Sequence, residues 1–308
     1  MTAPDFVRSF QIEGMNVRGR VVHLTDVVDR VITAHAYPDS VSRVVGEALA
    51  LAALLGASLK FEGTLTLQTR SNGPVRMIVA DFMSPDTLRA CATFDRDAVE
   101  ALGPMPIFSE LVGTGSLAIT IDPGGDMERY QGIVPLEGEG LADGAMSYFD
   151  NSEQIPTRIK LSVATLMARG ASVPRPHWRA GGVIIQNLAA LGGHGAPAPK
   201  EDVGEDWARA SILFSTVELH ELVDPQVEAE RLLFRLYHED GVRVFERQAL
   251  QFGCRCSAER VVSVLSQYSE AEVQALAAAD GAIAATCEFC STVYRFQPDE
   301  IVSQSART

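Results

Sequence analysis

Cys254-Arg-Cys256 and Cys287-Glu-Phe-Cys290 decide how this chain is read. Two cysteines separated by one or two residues can present both sulfurs to the same ion from a single backbone knuckle, and zinc takes four thiolates in tetrahedral array. Two knuckles make one closed site, with Cys254, Cys256, Cys287 and Cys290 as ligands to one Zn2+. Four unrelated buried thiols are a poor alternative, because the chain has 5 cysteines and all but Cys91 fall in this pattern. Cys91 reads as a small buried hydrophobe in a strand with no redox duty.

Outward from the cysteines, the first question is the compartment. A standing disulfide framework belongs to small secreted domains. Met1 to Val17 carries Asp5, Arg8 and Glu13 among its apolar residues, where a leader needs a basic stretch followed by an apolar one. The longest apolar stretch, Ala48 to Leu55, is far too short to cross a bilayer. The expectation is a soluble, cytoplasmic protein with reduced thiols and no membrane partner. Its pairs also permit a second chemistry. Without metal, Cys287 and Cys290 can close an ordinary CxxC disulfide, and Cys254 and Cys256 only a small, strained ring. Strained, exposed disulfides are the labile, regulatory kind, and Arg255 adds positive charge beside two of the sulfurs. The motif alone favours a structural staple over a switch.

The 308 residues suggest about two domains by the prior of ~150 each, and 46% hydrophobic residues suffice for a core. A net charge of -14 argues against nucleic acid as a partner, since phosphate backbones would be repelled. An enzyme needs a constellation. The histidines, His23, His35, His177, His194, His220 and His238, are scattered, with no HExxH, GxSxG or Walker loop. Gly192-Gly-His-Gly195 is loop punctuation, and Glu153 reads as a turn or capping residue. No catalytic residue is assigned.

The fold class expected is α+β: an N-terminal mixed α/β sheet domain over 1–190, a hinge and charged helical linker over 191–250, and a small zinc-binding domain over 251–308. In the first, Val17 to Leu24 reads as a strand, Thr25 as the cap of a helix through His35, and Asp39 or Ser40 as the start of a longer helix with one apolar face. Gly63 to Gln68, the turn Ser71-Asn-Gly-Pro74 and Val75 to Phe82 make a hairpin. Leu88 to Phe94, Gly115 to Ile121, Met127 to Val134, Ile159 to Thr165 and Ala180 to Gln186 are further strands, with a helix over Leu141 to Asp150. Gly181-Gly182 suggests a bulge or a close backbone approach. The linker signal is Leu191 to Lys200, rich in glycine and proline. Lys200 to Leu250 holds 12 acidic against 6 basic residues. It carries a helix with Trp207, Ala210, Leu213, Phe214 and Val217, a second helix beginning at Asp224-Pro225, and a strand over Val242 to Phe245. Such a segment needs a surface to lie on. The last 58 residues, Gln251 to Thr308, with helices over Ala258 to Ser266 and Glu270 to Ala279, are too few to rely on a core. Metal there contributes on the order of 10 kcal/mol, so folding should depend on it.

Several strings then resemble one family along essentially the whole chain: Leu59-Lys-Phe-Glu-Gly63 with Leu65-Thr-Leu-Gln68 and Gly73-Pro74; Tyr148-Phe149 with Ser152-Glu-Gln-Ile-Pro-Thr157; Gly181-Gly182 with Gln186; His238 to Phe245; and the cysteine knuckles with Tyr294-Arg-Phe296. The sequence is similar to the redox-regulated heat-shock protein 33 chaperones. The resemblance implies an ATP-independent holdase, inactive with zinc when reduced. It implies activation by the disulfides Cys254–Cys256 and Cys287–Cys290 with zinc release, often as a homodimer, and binding of unfolding or oxidatively damaged client proteins. The competing reading is a zinc-ribbon nucleic-acid binder, or a structural zinc protein without a switch.

Overall fold

The computed structural model describes residues 4–59, 62–125, 127–167, 176–187, 203–278 and 280–305. The chain forms two compact units, 1–252 and 253–308. In chain order the first holds β1 (Phe6–Ile12), β2 (Val17–Leu24), α1 (Asp26–His35), α2 (Asp39–Gly56), β3 (Thr64–Ser71), β4 (Val75–Met83), β5 (Thr87–Phe94), α3 (Arg96–Ala101) and α4 (Phe108–Val112). Then come β6 (Gly115–Asp122), β7 (Tyr130–Pro135), α5 (Leu141–Tyr148), β8 (Thr157–Met167), β9 (Pro176–Asn187), α6 (Val203–Ser215), α7 (Ala229–Tyr237), β10 (Val242–Ala249) and β11 (Gln251–Phe252). The second holds α8 (Ala258–Leu265), α9 (Glu270–Ala275), β12 (Ile283–Thr286), β13 (Val293–Phe296) and α10 (Pro298–Ser305). The α+β class expected from the sequence holds.

α2 organises the first unit. It packs on β2, β8 and β9 of a five-stranded sheet, ordered β10-β1-β2-β9-β8, and on β3, β4 and β5 of a six-stranded one, ordered β11-β5-β4-β3-β6-β7. The single apolar face expected for it is a correction: Gly46, Ala50, Leu51, Ala53 and Leu54 are buried as well as Val41, Val45 and Leu49. From Ala48 to Gly56 the helix is apolar all round and buried on every side, as two sheets cover it there, while Asp39 and Arg43 in its first turns are exposed. Gly56 makes room at its end, where a Cβ would stand 2.2 Å from the Phe82 ring.

Thr25 precedes α1, but its side chain does not cap it. Asp5 does the work from the start of β1, accepting from the amides of Thr25, Asp26 (3.2 Å) and Val27 (2.7 Å) and from the Thr25 hydroxyl (2.8 Å). A carboxylate on the first-turn amides satisfies donors the helix leaves open. β1 itself is absent from the sequence reading. It pairs β2 throughout and carries apolar residues on both faces, Val7 toward α2 and Phe6, Phe10 and Ile12 away from it.

The acidic segment finds its surface on the outer side of the five-stranded sheet. Phe214, Leu232, Leu233, Leu236 and Tyr237 pack on Phe10, Ile12, Val21, Val183 and Ile185, and β10 adds an edge strand to β1. α7 starts at Ala229, later than Asp224-Pro225, because Asp224 accepts from the Gln226 amide (2.8 Å) and holds a turn there. β9 pairs in continuous register through Gly181-Gly182, so no bulge is present. The close approach is: a Cβ at Gly181 would lie 1.9 Å from the Leu222 carbonyl oxygen. Smaller differences are that β7 begins at Tyr130, and that α5 ends at Tyr148 and runs into a π-turn, Phe149–Glu153. The hinge Leu191 to Lys200, with Gly192-Gly-His-Gly195, lies outside the described residues.

In the second unit β12 and β13 form an antiparallel hairpin, and the buried apolar core is Val262, Val273, Ile283, Phe296 and Ile301. Ser257 caps α8 by accepting from the Arg260 amide, and Ser269 and Glu272 form a capping box on α9, which ends at Ala275.

Candidate metal centre

Cys254 and Cys256 sit in the extended stretch that ends at the Ser257 cap of α8. Cys287 and Cys290 occupy the turn between β12 and β13. The Cys287 amide donates to the Thr292 carbonyl and the Ser291 amide to the Cys287 carbonyl, both at 2.9 Å, with Ser291 left-handed at φ 54°. This tight turn folds the CxxC back on itself, and both its sulfurs face the first pair.

The four Sγ atoms lie within 4.8 Å of one another. Cys254 is 3.6 Å from Cys287, and Cys256 is 3.3 Å from Cys290. A tetrahedral zinc with bonds of ~2.3 Å sets its sulfurs about 3.8 Å apart. A disulfide requires ~2.05 Å, and none of the four is in one. The sulfurs could hold a metal ion, and among the described residues they are the one group of three or more histidine, cysteine or carboxylate side chains so gathered.

Hydroxyls surround them. The Tyr294 hydroxyl donates to Cys256 Sγ at 3.1 Å, and the Thr292 hydroxyl lies 3.2 Å from Cys290 Sγ. Cys290 is pulled down to about 6: desolvation opposes ionisation, but the Thr292 side chain and amide and the Cys256 and Cys287 thiols together favour it. Cys256 is pushed up to about 12, since the Tyr294 hydrogen bond, which lowers it, is outweighed by desolvation and the neighbouring thiols. Burial likewise raises Cys287. Cys256, Cys287 and Cys290 thus titrate together, and ionisation at Cys290 keeps the other two protonated. Cys254, Cys256, Cys287 and Cys290 would hold a divalent cation as thiolates, a donor set that suits a soft metal.

The other residues singled out in the sequence do not converge here. His23 stacks on Phe6 and is held neutral, lowered to about 4 by burial and by Arg179 and Arg247. His177 pairs with Asp29, and Cys91 is buried in β5. Glu153 is more than a turn residue, for it accepts from the hydroxyls of Tyr130 (3.0 Å) and Tyr148. Thr292 was missed as a site residue, and its signal is a hydroxyl two positions past the last cysteine. No described helix is long and apolar enough to cross a membrane.

Comparison with known proteins bears on the whole chain. The family described as Hsp33 protein matches residues 5–297. The 33 kDa chaperonin of Caulobacter vibrioides is 44% identical over 298 residues, 96% of this chain and 95% of the relative. That of Ectopseudomonas mendocina is 38% identical over 298 residues, 96% and 94% of the two chains. The crystal structure of the 33 kDa chaperonin (heat shock protein 33 homolog) from Thermotoga maritima superposes with a TM-score of 0.78 at 22% identity, over 98% of this chain and 99% of that one, and speaks for the fold. With its four sulfurs gathered at the C-terminal end and a match along nearly its full length, the chain belongs to the Hsp33 family of chaperones.

Proposed function

We propose that this chain is a redox-switched, ATP-independent holdase, inactive when Cys254, Cys256, Cys287 and Cys290 hold one zinc ion and active once they are oxidised. The observation that carries the reading is four sulfurs within 4.8 Å in a unit whose core cluster has five buried apolar side chains among the described residues. Zinc, when bound, keeps all four sulfurs as thiolates and cross-links the two knuckles. Each disulfide takes two electrons from two thiolates and passes them to a peroxide, whose O–O bond breaks to give two hydroxide equivalents. Pairing of Cys287 with Cys290, then of Cys254 with Cys256, removes every ligand, and the small unit loses its main support.

The acidic segment is the output. Its chain runs from β10 through β11 directly into Gly253-Cys254, and its excess of carboxylates disfavours the docked state. Lifting α6, α7 and β10 uncovers Phe10, Ile12, Val183 and Ile185 together with the apolar side of α7. A patch of this kind binds unfolding or oxidised clients, and the charged flanks keep the complex soluble. Homodimer formation on activation belongs to the same reading, in the cytoplasm, without nucleic acid or membrane as partner and without catalytic residues.

The test measures zinc content and suppression of client aggregation by the reduced and the peroxide-treated chain. One zinc per reduced chain, its loss on oxidation and suppression by the oxidised form alone are expected. Equal suppression by both forms would refute the switch, and nucleic-acid affinity with a steep salt slope would favour the zinc-ribbon reading.

A further inference from the structure

Residues of both large sheets and of the segment after α2 line a cavity of about 860 Å³ in the first unit. Ligand sites commonly measure ~300–1,000 Å³. Its walls are apolar, with Leu55, Leu65, Ile119, Ile121 and Phe149 among them, and the exposed Met127, Glu128 and Tyr130 mark the mouth. The strings around Tyr148-Phe149, Glu153 and Gln186 converge on it, although the cysteine chemistry leaves them unused. The π-turn Phe149–Glu153 forms part of the wall, and such turns recur at functional sites.

One charge stands out. Arg20 is half-buried and borders the cavity, and the one acceptor its guanidinium has among the described residues is the Leu54 carbonyl oxygen at 3.1 Å. Burial and the like charge of Arg18 pull it down to about 10, with no carboxylate acting in the other direction. Five donors with one acceptor leave this half-buried cation with donors to spare on the cavity side, which an anion there would take up. Gln186 also borders the cavity. Register sets Arg18 opposite Gln186 and Arg20 opposite Ile184, so Arg20 and Gln186 share a face, and one Gln186 amide hydrogen goes to Thr157 at 3.3 Å. Glu153 also borders the cavity, but its carboxylate is already held by two tyrosine hydroxyls.

We propose that this cavity binds a single-chain fatty carboxylate, its head on Arg20 and Gln186 and its tail along Leu55, Leu65, Ile119, Ile121 and Phe149. The cavity supplies apolar length for the tail, and the guanidinium lacks the one charge that the head carries. The site is separate from the cysteines, so it goes beyond the chaperone reading and stands or falls independently of it.

The full chain, reduced, is titrated by calorimetry with sodium dodecanoate below its micellar concentration and, separately, with dodecanol. One saturable dodecanoate site is expected, with the alcohol roughly ten- to a hundredfold weaker, the size of a charge-assisted hydrogen-bond loss. Arg20→Met should bring the carboxylate down to the level of the alcohol, and Ile121→Trp, which fills the cavity, should abolish both. Absence of a saturable site, or equal binding of acid and alcohol by the unmodified chain, overturns the proposal without recourse to any variant. Equal displacement of dodecanoate by an apolar hexapeptide with blocked ends would assign the cavity to polypeptide and overturn it too.

Discussion

Cys290→Ser removes one sulfur of four and tests how far the second unit depends on the proposed zinc. Its five buried apolar side chains contribute about 8–15 kcal/mol at ~1.5–3 kcal/mol each, an upper figure because unfolded chains already bury part of that surface. A structural zinc contributes ~10–16 kcal/mol at neutral pH. Zinc would therefore match or exceed those five side chains, beside which the described residues add only partly buried ones such as Val261, Leu265 and Tyr294. In the variant, hydrogen exchange across Ala258–Leu265 and Ile283–Phe296 should rise to the rates of an unstructured chain. Thr64–Met83 should stay protected, since β3 and β4 lie inside the six-stranded sheet with α2 packed on them. A chelator should do the same to the unmodified protein. Retained protection across Ile283–Phe296 in protein shown metal-free by mass spectrometry would refute the reasoning, for the five side chains would then suffice alone.

Under graded peroxide, mass mapping should find Cys287–Cys290 before Cys254–Cys256, because the first ring closes with less strain. Cross-pairs as the main product, such as Cys256–Cys290, whose sulfurs are 3.3 Å apart in the folded unit, would show that oxidation outruns unfolding and would sink that order. Gly181→Ala puts a Cβ against the Leu222 carbonyl and should weaken docking of the acidic segment by about 1–3 kcal/mol. Faster exchange over residues 203–250 in the reduced protein is the readout, and an unchanged profile would mean the backbone gives way freely. Glu47 is raised from 4.5 to about 7, first by burial, with Asp143 adding and Arg43 opposing. Its neutral form favours the fold, so this stability is fully present below the unfolded pKa and is lost as pH rises toward 7, by up to about 3 kcal/mol. Glu47→Gln should flatten that slope in urea melts across this range, and identical pH profiles would contradict the assignment.

The cysteine knuckles were legible because their spacing is the chemistry: a ligand pair needs nothing from the rest of the chain to be recognised. The hairpin β3–β4 was legible for the same local reason, an alternating run closed by Ser71-Asn-Gly-Pro74. What escaped depends on distant partners. β1 shows no clean alternation because Val7 joins one core while Phe6, Phe10 and Ile12 join the other, and the charged Arg8 interrupts the apolar face. Asp5 caps α1 across twenty residues of sequence, where local rules point to Thr25. The burial of α2 on all sides from Ala48 onward, and the cavity beyond its end, follow from two sheets meeting around it, and periodicity within one helix carries no record of that.

The order β10-β1-β2-β9-β8 has a consequence for synthesis. Arg8 on β1 reaches the Phe245 carbonyl on β10, a partner 237 residues away. At ~5–20 residues per second the ribosome delivers that partner on the order of 10–50 s after β1 has emerged. Throughout that interval one edge of β1 has its amides and carbonyls unpaired, the kind of edge on which strands from other chains add. A nascent chain of this chaperone-family protein thus passes through the kind of hazard against which chaperones act, and completing the acidic segment is what ends it.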